Sequence, residues 1–236
     1  MKLFLLGALL LFTGCATKYM LPGNRFITPE TQGEAFRGQM EIQKTSGTEV
    51  SIDTKNNTVD EGVLYNTVSR SGFLFSNSFF DRFDLVWSET SSANSMIGGK
   101  FQFLGGSRVS KSVGHKLALA ALVGSNEHET DDKLVTFTLG GSEYMLLYGY
   151  RFLPEIMMYS SLSQANYNFK GQIHGSGALS GQRPNINSQI LSVSGGLEGN
   201  IDIVFAKLEL TYQSIMSSKT NYYSHYITGL SIGLQW

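Results

Sequence analysis

The sequence predicts an all-β fold, an antiparallel up-and-down transmembrane β-barrel of about 10 strands, with about 8 or 12 strands as alternatives. Three observations predict it. Strand-like segments are separated by connections that are alternately short and long. The chain contains 26 Gly and only 4 Pro, with 12% aromatic residues, which suits twisted strands with small side chains inside and aromatic girdles outside. The last segment, Tyr222 to Trp236, alternates from Tyr226 on and ends on an aromatic residue.

Residues 1–15 have the pattern of a signal peptide. Lys2 supplies a positive charge, and the apolar run Leu3 to Phe12 is shorter than the roughly 20 residues that a membrane helix needs. The segment 12–15, Phe-Thr-Gly-Cys, resembles a bacterial lipobox, which implies that Cys15 is lipidated and becomes the mature N-terminus. Cleavage after Ala16 is the alternative. Because Cys15 is the only cysteine, no disulfide is expected.

A polar, proline-containing stretch, residues 16–33, follows and is predicted to be a leader in the periplasm, while residues 34–236 are predicted to form the barrel. Each predicted strand alternates apolar with small or polar residues. The strands are predicted at Glu34–Thr45, Asn66–Asn77, Arg82–Glu89, Ser95–Gly105, His115–Ser125, Lys133–Phe152, Ile156–Lys170, Ser188–Gly199, Asp202–Gln213 and Tyr222–Trp236.

The connections predict which end of the barrel faces which compartment. Those at 78–81, 153–155 and 200–201 are tight, with 106–114 as an exception, whereas those at 46–65, 90–94, 126–132, 171–187 and 214–221 are mostly longer and polar. Short turns are typical of the periplasmic side and long loops of the outer side. The segment Lys133–Phe152 exceeds one crossing of about 9 to 11 residues. Either it projects beyond the membrane with a bulge at Gly140-Gly141, or these glycines form a turn.

The closing strand favours lipid over water outside the barrel. One of its faces is apolar from Tyr226 on, and no later segment of the chain covers that face. A soluble sandwich or lipocalin-like barrel, tethered by its lipid, is the alternative fold. It has the same alternation, with the apolar face inward and the polar face outward. The uncovered last strand, the aromatic residues near strand ends and the secretory signal favour the membrane barrel.

The segment Gly229 to Trp236 resembles the terminal strand signal of bacterial outer-membrane proteins. The resemblance depends on alternating apolar residues and a final aromatic, and it implies recognition by the barrel-assembly machinery. It also implies a location in the outer membrane of a Gram-negative bacterium, and the phasing of turns then predicts that both termini lie in the periplasm. The residues of this signal are Leu230, Ile232, Leu234 and Trp236.

Charged residues at inward strand positions are predicted to line the lumen. Because buried charges are costly unless paired, a structural salt-bridge network is the expected arrangement, and a narrow passive channel for small solutes is the alternative. With more basic than acidic members, such a channel would favour small anions. The predicted set is Arg37, Arg70, Arg82, Lys100, Lys116, Arg151 and Lys207 with Glu41, Asp84, Glu143, Glu198 and Glu209.

Little in the sequence predicts catalysis, and the expected role is structural or surface-exposed. Omptin proteases share a ten-stranded barrel, but here Asp131, Asp132 and His128 belong to one acidic loop, so a hydrolase at this rim is only an alternative. No catalytic residue, metal site or cofactor is predicted. The expected partners are outer-membrane lipid and lipopolysaccharide, and the net charge of -1 argues against nucleic acid.

Overall fold

The computed structural model describes residues 16–21, 23–53, 63–90, 95–129, 135–174, 181, 183–218 and 222–236. Within these ranges, no helix is long and apolar enough to cross a membrane. The strands are β1 (Ala16–Leu21), β2 (Gly38–Asp53), β3 (Val63–Phe80), β4 (Phe83–Thr90), β5 (Met96–Leu104), β6 (Gly114–Glu129), β7 (Val135–Leu153), β8 (Ile156–Ile173), β9 (Asn185–Ile201), β10 (Val204–Ser217) and β11 (Tyr223–Gln235).

Strands β2 to β11 form one closed antiparallel barrel of ten strands. Each strand pairs with its neighbours in the chain, and β11 returns to β2, with Gly229 opposite Thr45 and Gln235 opposite Gln39. The predicted strand number is confirmed, and the pairing of the last barrel strand with the first closes the barrel. Strand β1 is additional, and it pairs with the second half of β2, from Thr48 to Asp53.

The two ends of the barrel differ, and we call them the turn end and the loop end. At the turn end, two-residue connections join β3 to β4, β7 to β8 and β9 to β10, while residues 105–113 join β5 to β6. At the loop end, most strands project further than predicted, with β2 continuing to Asp53 instead of ending at Thr45. Most residues of the loop-end connections lie outside the described ranges.

Strand β7 decides between the two alternatives for the segment Lys133–Phe152. It is a single strand that pairs in unbroken register across Gly140 and Gly141, both with β6 and with β8 from Val135 to Arg151. The projecting strand is therefore the correct alternative. The glycines form neither a turn nor a bulge, and the expectation of a bulge there is wrong.

An apolar band surrounds the barrel next to the turn end. The outward positions of β7 are apolar or aromatic from Tyr144 to Phe152, and those of β10 from Val204 to Tyr212. These spans match the roughly 9 to 11 residues of a membrane-crossing strand. Leu208, which is 58% exposed, and Ile232, at 55%, show how completely the apolar side chains face outward. The inward positions carry the charged side chains, such as Glu143, Arg151 and Lys207, among smaller and apolar ones. Because the outward face is apolar and the charges point inward, the distribution is that of a membrane barrel and not of a soluble one.

The polar stretch before the barrel is not a leader outside the membrane, which corrects the sequence expectation. Residues 19–21 and 23–33 are buried inside the barrel, and the chain runs through the lumen from the loop end to the turn end. We call residues 16–33 the plug. The physical reason is that the charged wall needs hydrogen-bond partners, and the polar groups of the plug supply them. Gly33, with a φ of 95°, turns the chain out of the lumen towards β2.

The ends of the described chain lie at opposite ends of the barrel. Ala16 pairs with Asp53 at the loop end, whereas the amide of Trp236 donates to the carbonyl of Gly38 at 3.0 Å at the turn end. The phasing of turns predicted both termini at the same end of the barrel, whereas the first and last described residues, Ala16 and Trp236, lie at different ends. The predicted signal peptide and the lipidation of Cys15 lie outside the described residues.

Candidate functional site: the charged and plugged lumen

The strand period of two places the wall charges inside the barrel. Alternate residues of β2, β4 to β7, β9 and β10 face inward, and the plug and the connection 105–113 add further charges. The buried charged side chains of the lumen are Arg25, Glu30, Glu41, Glu49, Asp84, Lys100, Arg108, Lys116, Glu143, Arg151, Glu198, Lys207 and Glu209. Their ion pairs join Arg25 to Glu143, Lys100 to Asp84, Arg108 to Glu198, Lys116 to Glu30, Arg151 to Glu30 and Glu198, and Lys207 to Glu41.

Glu30 of the plug is the centre of this network. Its two carboxylate oxygens accept from Nε and Nη2 of Arg151 at 2.8 and 2.5 Å, and Oε1 lies 3.4 Å from Nζ of Lys116. Arg151 also contacts Glu198 at 3.1 Å, and Glu198 contacts Arg108 at 2.5 Å. The bidentate geometry is the strong arrangement for arginine and a carboxylate. A residue of the plug thus links the charges of β6, β7 and β9.

Glu209 of β10 holds the backbone of the plug. Its carboxylate accepts from the amides of Arg25 and Phe26, both at 3.0 Å, from the hydroxyl of Tyr159 at 3.2 Å and from that of Thr211 at 3.1 Å. A carboxylate with several hydrogen-bond donors can stay charged in a buried position. The wall therefore fixes the plug at the level of Arg25 and Phe26.

A second anchor lies near the turn end, at Asp84 of β4. Its carboxylate accepts from the amide of Gln32 at 3.2 Å, from Ser76 at 3.1 Å and from Ser78, and it lies 3.1 Å from Nζ of Lys100. Lys100 also donates to the carbonyl oxygen of Glu30 in the plug. Both backbone and side chains of the plug are therefore bonded to the wall.

The loop half of the lumen is mostly apolar, with the ion pair of Glu49 and Arg70 beside the apolar residues. Tyr19 of β1 stacks on Phe169 of β8, with ring centroids 4.7 Å apart, and Phe169 contacts Phe137 of β7 at 5.0 Å. Leu21 and Val50 are fully buried in the same apolar core. Strand β1 thus closes the loop end by hydrophobic packing, while the rest of the plug closes the turn half by hydrogen bonds and ion pairs.

Most of the predicted lumen charges face inward, and three differ. Nine are buried: Lys100, Lys116, Arg151, Lys207, Glu41, Asp84, Glu143, Glu198 and Glu209. Arg70 lies at the loop end, about a third exposed, and contacts Glu49 at 3.2 Å. Arg37 and Arg82 are exposed at the turn end, which corrects the prediction that they line the lumen. The reason is that Arg37 precedes β2 and Arg82 lies in a turn, so strand alternation does not apply to either.

Sequence reasoning missed four charges, Arg25, Glu30, Glu49 and Arg108. Glu49 lies in the part of β2 that was predicted to be a connection, and the other three lie in no strand, so alternation gave no signal for them. For Arg108 one signal existed, because the connection 105–113 is long for the turn end and has room to fold into the barrel. Its guanidinium donates to Glu198, Asn200, Gln235 and Thr28.

The residues of the terminal signal face outward. Leu230, Ile232, Leu234 and Trp236 alternate on the lipid side of β11, as their pattern predicted. Recognition by the barrel-assembly machinery stays a prediction.

The histidines and acids that a rim hydrolase would need are not brought together among the described residues. Asp131, Asp132 and the side chain of His128 lie outside them. His174 contacts Thr136 at 3.1 Å, and His225 contacts Thr48 at 2.9 Å, so neither lies beside a carboxylate in a catalytic pair. Within the described ranges, no three His, Cys, Asp or Glu side chains are placed to hold a metal ion.

Comparison with known proteins gives structural neighbours only. No protein-family model and no curated protein matches the chain. Ail, the attachment invasion locus protein of Yersinia pestis, is 11% identical, over 86% of this chain and 100% of its own, with a TM-score of 0.40. Neisserial surface protein A is 12% identical, over 86% and 96%, with a TM-score of 0.40. The N-terminal β-barrel domain of Pseudomonas aeruginosa OprF is 13% identical, over 84% and 97%, with a TM-score of 0.31. At such identities the likeness says nothing about ligands or partners of this chain.

Proposed function

We propose that this protein is an integral outer-membrane β-barrel with a structural or surface-exposed role, which seals its own lumen and catalyses no reaction. The observation that carries the proposal is the combination of an apolar outer band with a lumen filled by the plug. The band fits hydrocarbon, and the plug pairs the charges that would line a channel. Among the described residues, the outward surface of the strands that project beyond the band is available for contact with other molecules.

The turn end is proposed to face the periplasm and the loop end the exterior. Support comes from the position of the band, which begins beside the short turns and leaves the long strands projecting on one side only. Trp236 is then periplasmic and Ala16 is exterior. A lipid on Cys15, the residue before Ala16, would belong to the outer side of the membrane.

Arginine placed in the band is expected to destabilise the barrel strongly. Leu208→Arg puts a charge in the middle of the lipid face and should lower the free energy of unfolding by about 2–4 kcal/mol. The measurement is urea unfolding of protein refolded in lipid vesicles, followed by the difference in gel migration between folded and boiled samples. The matched variant Thr138→Arg lies on the outward face beyond the band and should cost about 0–1 kcal/mol. Equal costs for the two variants would refute the assignment of the band to lipid.

Labelling on intact cells tests the orientation. Glu127 is exposed at the loop end and Glu155 at the turn end. With a membrane-impermeant maleimide, Glu127→Cys should be labelled on intact cells, and Glu155→Cys only after the outer membrane is permeabilised. The unsubstituted chain controls for reaction at Cys15. The reverse pattern would show that the barrel is inserted the other way round.

A further inference from the structure

A cleft of about 560 Å³ opens on the outside of the barrel wall, across β7 to β10 towards the loop end. Its floor is at Gly140, which lacks a side chain. A Cβ atom built there would lie at ordinary contact distance, 3.7 Å from Oγ of Ser125, so a side chain is accommodated at this position. The outward side chains around it are Ser142, Asn166, Asn168, Asn187, Gln189 and Ser218.

The side chains that line this cleft are neutral, and they combine a mostly apolar surface with several hydrogen-bonding groups. None of the residues that line it is charged. The side-chain amide of Asn168 donates to the carboxamide oxygen of Asn185 at 2.8 Å and to that of Asn187. The backbone amide of Asn187 donates to the hydroxyl of Ser218 at 3.1 Å. These bonds hold the carboxamides in place before any ligand arrives, which reduces the entropy lost on binding. A carboxamide offers both donors and acceptors, as a sugar hydroxyl requires.

The position of the cleft indicates what occupies it. The strand register places Tyr144, Gln164 and Leu191 in one row, where the apolar band ends, and the next outward row towards the loop end is Ser142, Asn166 and Gln189 of the cleft. The cleft is therefore continuous with the lipid-facing surface and lies directly above it. A molecule seated there also lies against the headgroups of the surrounding lipid.

We propose that the cleft binds the neutral sugar units of the lipopolysaccharide core. This inference rests on the proposed orientation, because only the outer leaflet of the outer membrane presents such sugars beside the wall. The absence of charge among the lining residues argues against the phosphate groups of the same lipid, which are bound by lysine and arginine. Met216, which is exposed at the edge, provides an apolar surface for the face of a sugar ring.

The test uses the full chain refolded in detergent and two probes, intact rough-type lipopolysaccharide and its core oligosaccharide freed of lipid and phosphate. The oligosaccharide alone is expected to bind the unsubstituted protein. Gly140→Phe fills the floor of the cleft and should weaken this binding by about tenfold or more. Asn166→Ala removes one exposed carboxamide and should weaken it by about threefold. Isothermal titration calorimetry measures each affinity.

Gly195→Phe is the matched control. Gly195 is also an outward glycine with open space around it, but it lies within the apolar band, so this variant should bind the oligosaccharide as the unsubstituted protein does. Binding of intact lipopolysaccharide without binding of the oligosaccharide would overturn the proposal in favour of phosphate or acyl contacts. An equal loss in Gly140→Phe and Gly195→Phe would overturn it as well. A variant that still shows the shift in gel migration on boiling has a folded barrel. Loss of oligosaccharide binding in such a variant therefore tests the cleft and not the proposed function of the barrel.

Discussion

Deletion of residues 19–33 is expected to convert a barrel without steady ion current into an open pore. These residues fill the lumen, and they supply two of its charges, Arg25 and Glu30, together with the backbone amides bound by Glu209. Without them, water enters to solvate the exposed charges of the wall, because leaving those charges dry and unpaired costs several kcal/mol each. Planar bilayer recordings should show no discrete steps for the full chain and regular steps for the deletion variant.

The opened pore should discriminate little between anions and cations. After deletion, six buried acidic side chains remain, Glu41, Glu49, Asp84, Glu143, Glu198 and Glu209, against five buried basic ones, Lys100, Arg108, Lys116, Arg151 and Lys207, and the partly exposed Arg70, which pairs with Glu49. The balance differs from the net basic lumen that the sequence predicts, because Arg37 and Arg82 lie outside the lumen, whereas Arg108 and Glu49 lie inside it. A synthetic peptide of residues 16–33 added to the loop-end side should reduce the current. Steady conductance of the full chain, or a silent deletion variant that is folded, would contradict a plugged lumen.

Replacement of Glu30 by glutamine is expected to give the largest loss of stability from a single change. The variant keeps the size of the side chain but removes the negative charge between Arg151 and Lys116, which are both almost fully buried. Arg151 retains Glu198, whereas Lys116 retains only the neutral partners Gly106 and Ser112. Removing one partner of a buried ion pair costs about 3–5 kcal/mol, and the free energy of unfolding in urea should fall by this amount.

Two further variants separate the effect of burial from the effect of charge. Glu34→Gln removes an exposed carboxylate that contacts Arg37 at 2.9 Å, and it should cost about 0–1 kcal/mol. Adding Lys116→Met to Glu30→Gln removes the unpaired cation, so part of the lost stability should return. If the two single glutamine variants are equally stable, Glu30 does not occupy the centre of a dry ionic network.

Strand alternation accounts for the parts of the structure that the sequence predicted. The residues of a strand that face lipid are set by the alternation within that strand and not by residues distant in the chain. The outward residues of β11 and the inward position of Lys207 therefore follow from the local pattern. The residues at which the strands end at the loop end could not be predicted in this way. Beyond the band both faces of the strands are polar or buried, so the alternation of apolar residues no longer marks a strand. Strand β2 was therefore predicted to end at Thr45 and not at Asp53.

The path of the plug had no local signal. Its polar residues and prolines are typical of a segment in solvent, and their partners lie far away in sequence, such as Arg151 for Glu30 and Glu209 for Arg25. Alternation shows which wall residues face inward but not what they face. The lumen charges were therefore expected to pair across the wall, whereas in the structure many of them pair with the plug.

Strands β1 and β11 pair with the same edge of β2, and this arrangement indicates the order in which the barrel assembles. Strand β11 covers β2 only from Gln39 to Thr45, and β1 covers the same edge from Thr48 to Asp53. The segment 22–47 joins β1 to its partner residues in β2, whereas β11 is joined to β2 by nearly the whole chain, so the pairing of β1 closes a much shorter loop and costs less entropy. We therefore expect the plug to be in place before β11 pairs with β2, so that the last strand closes the barrel around it.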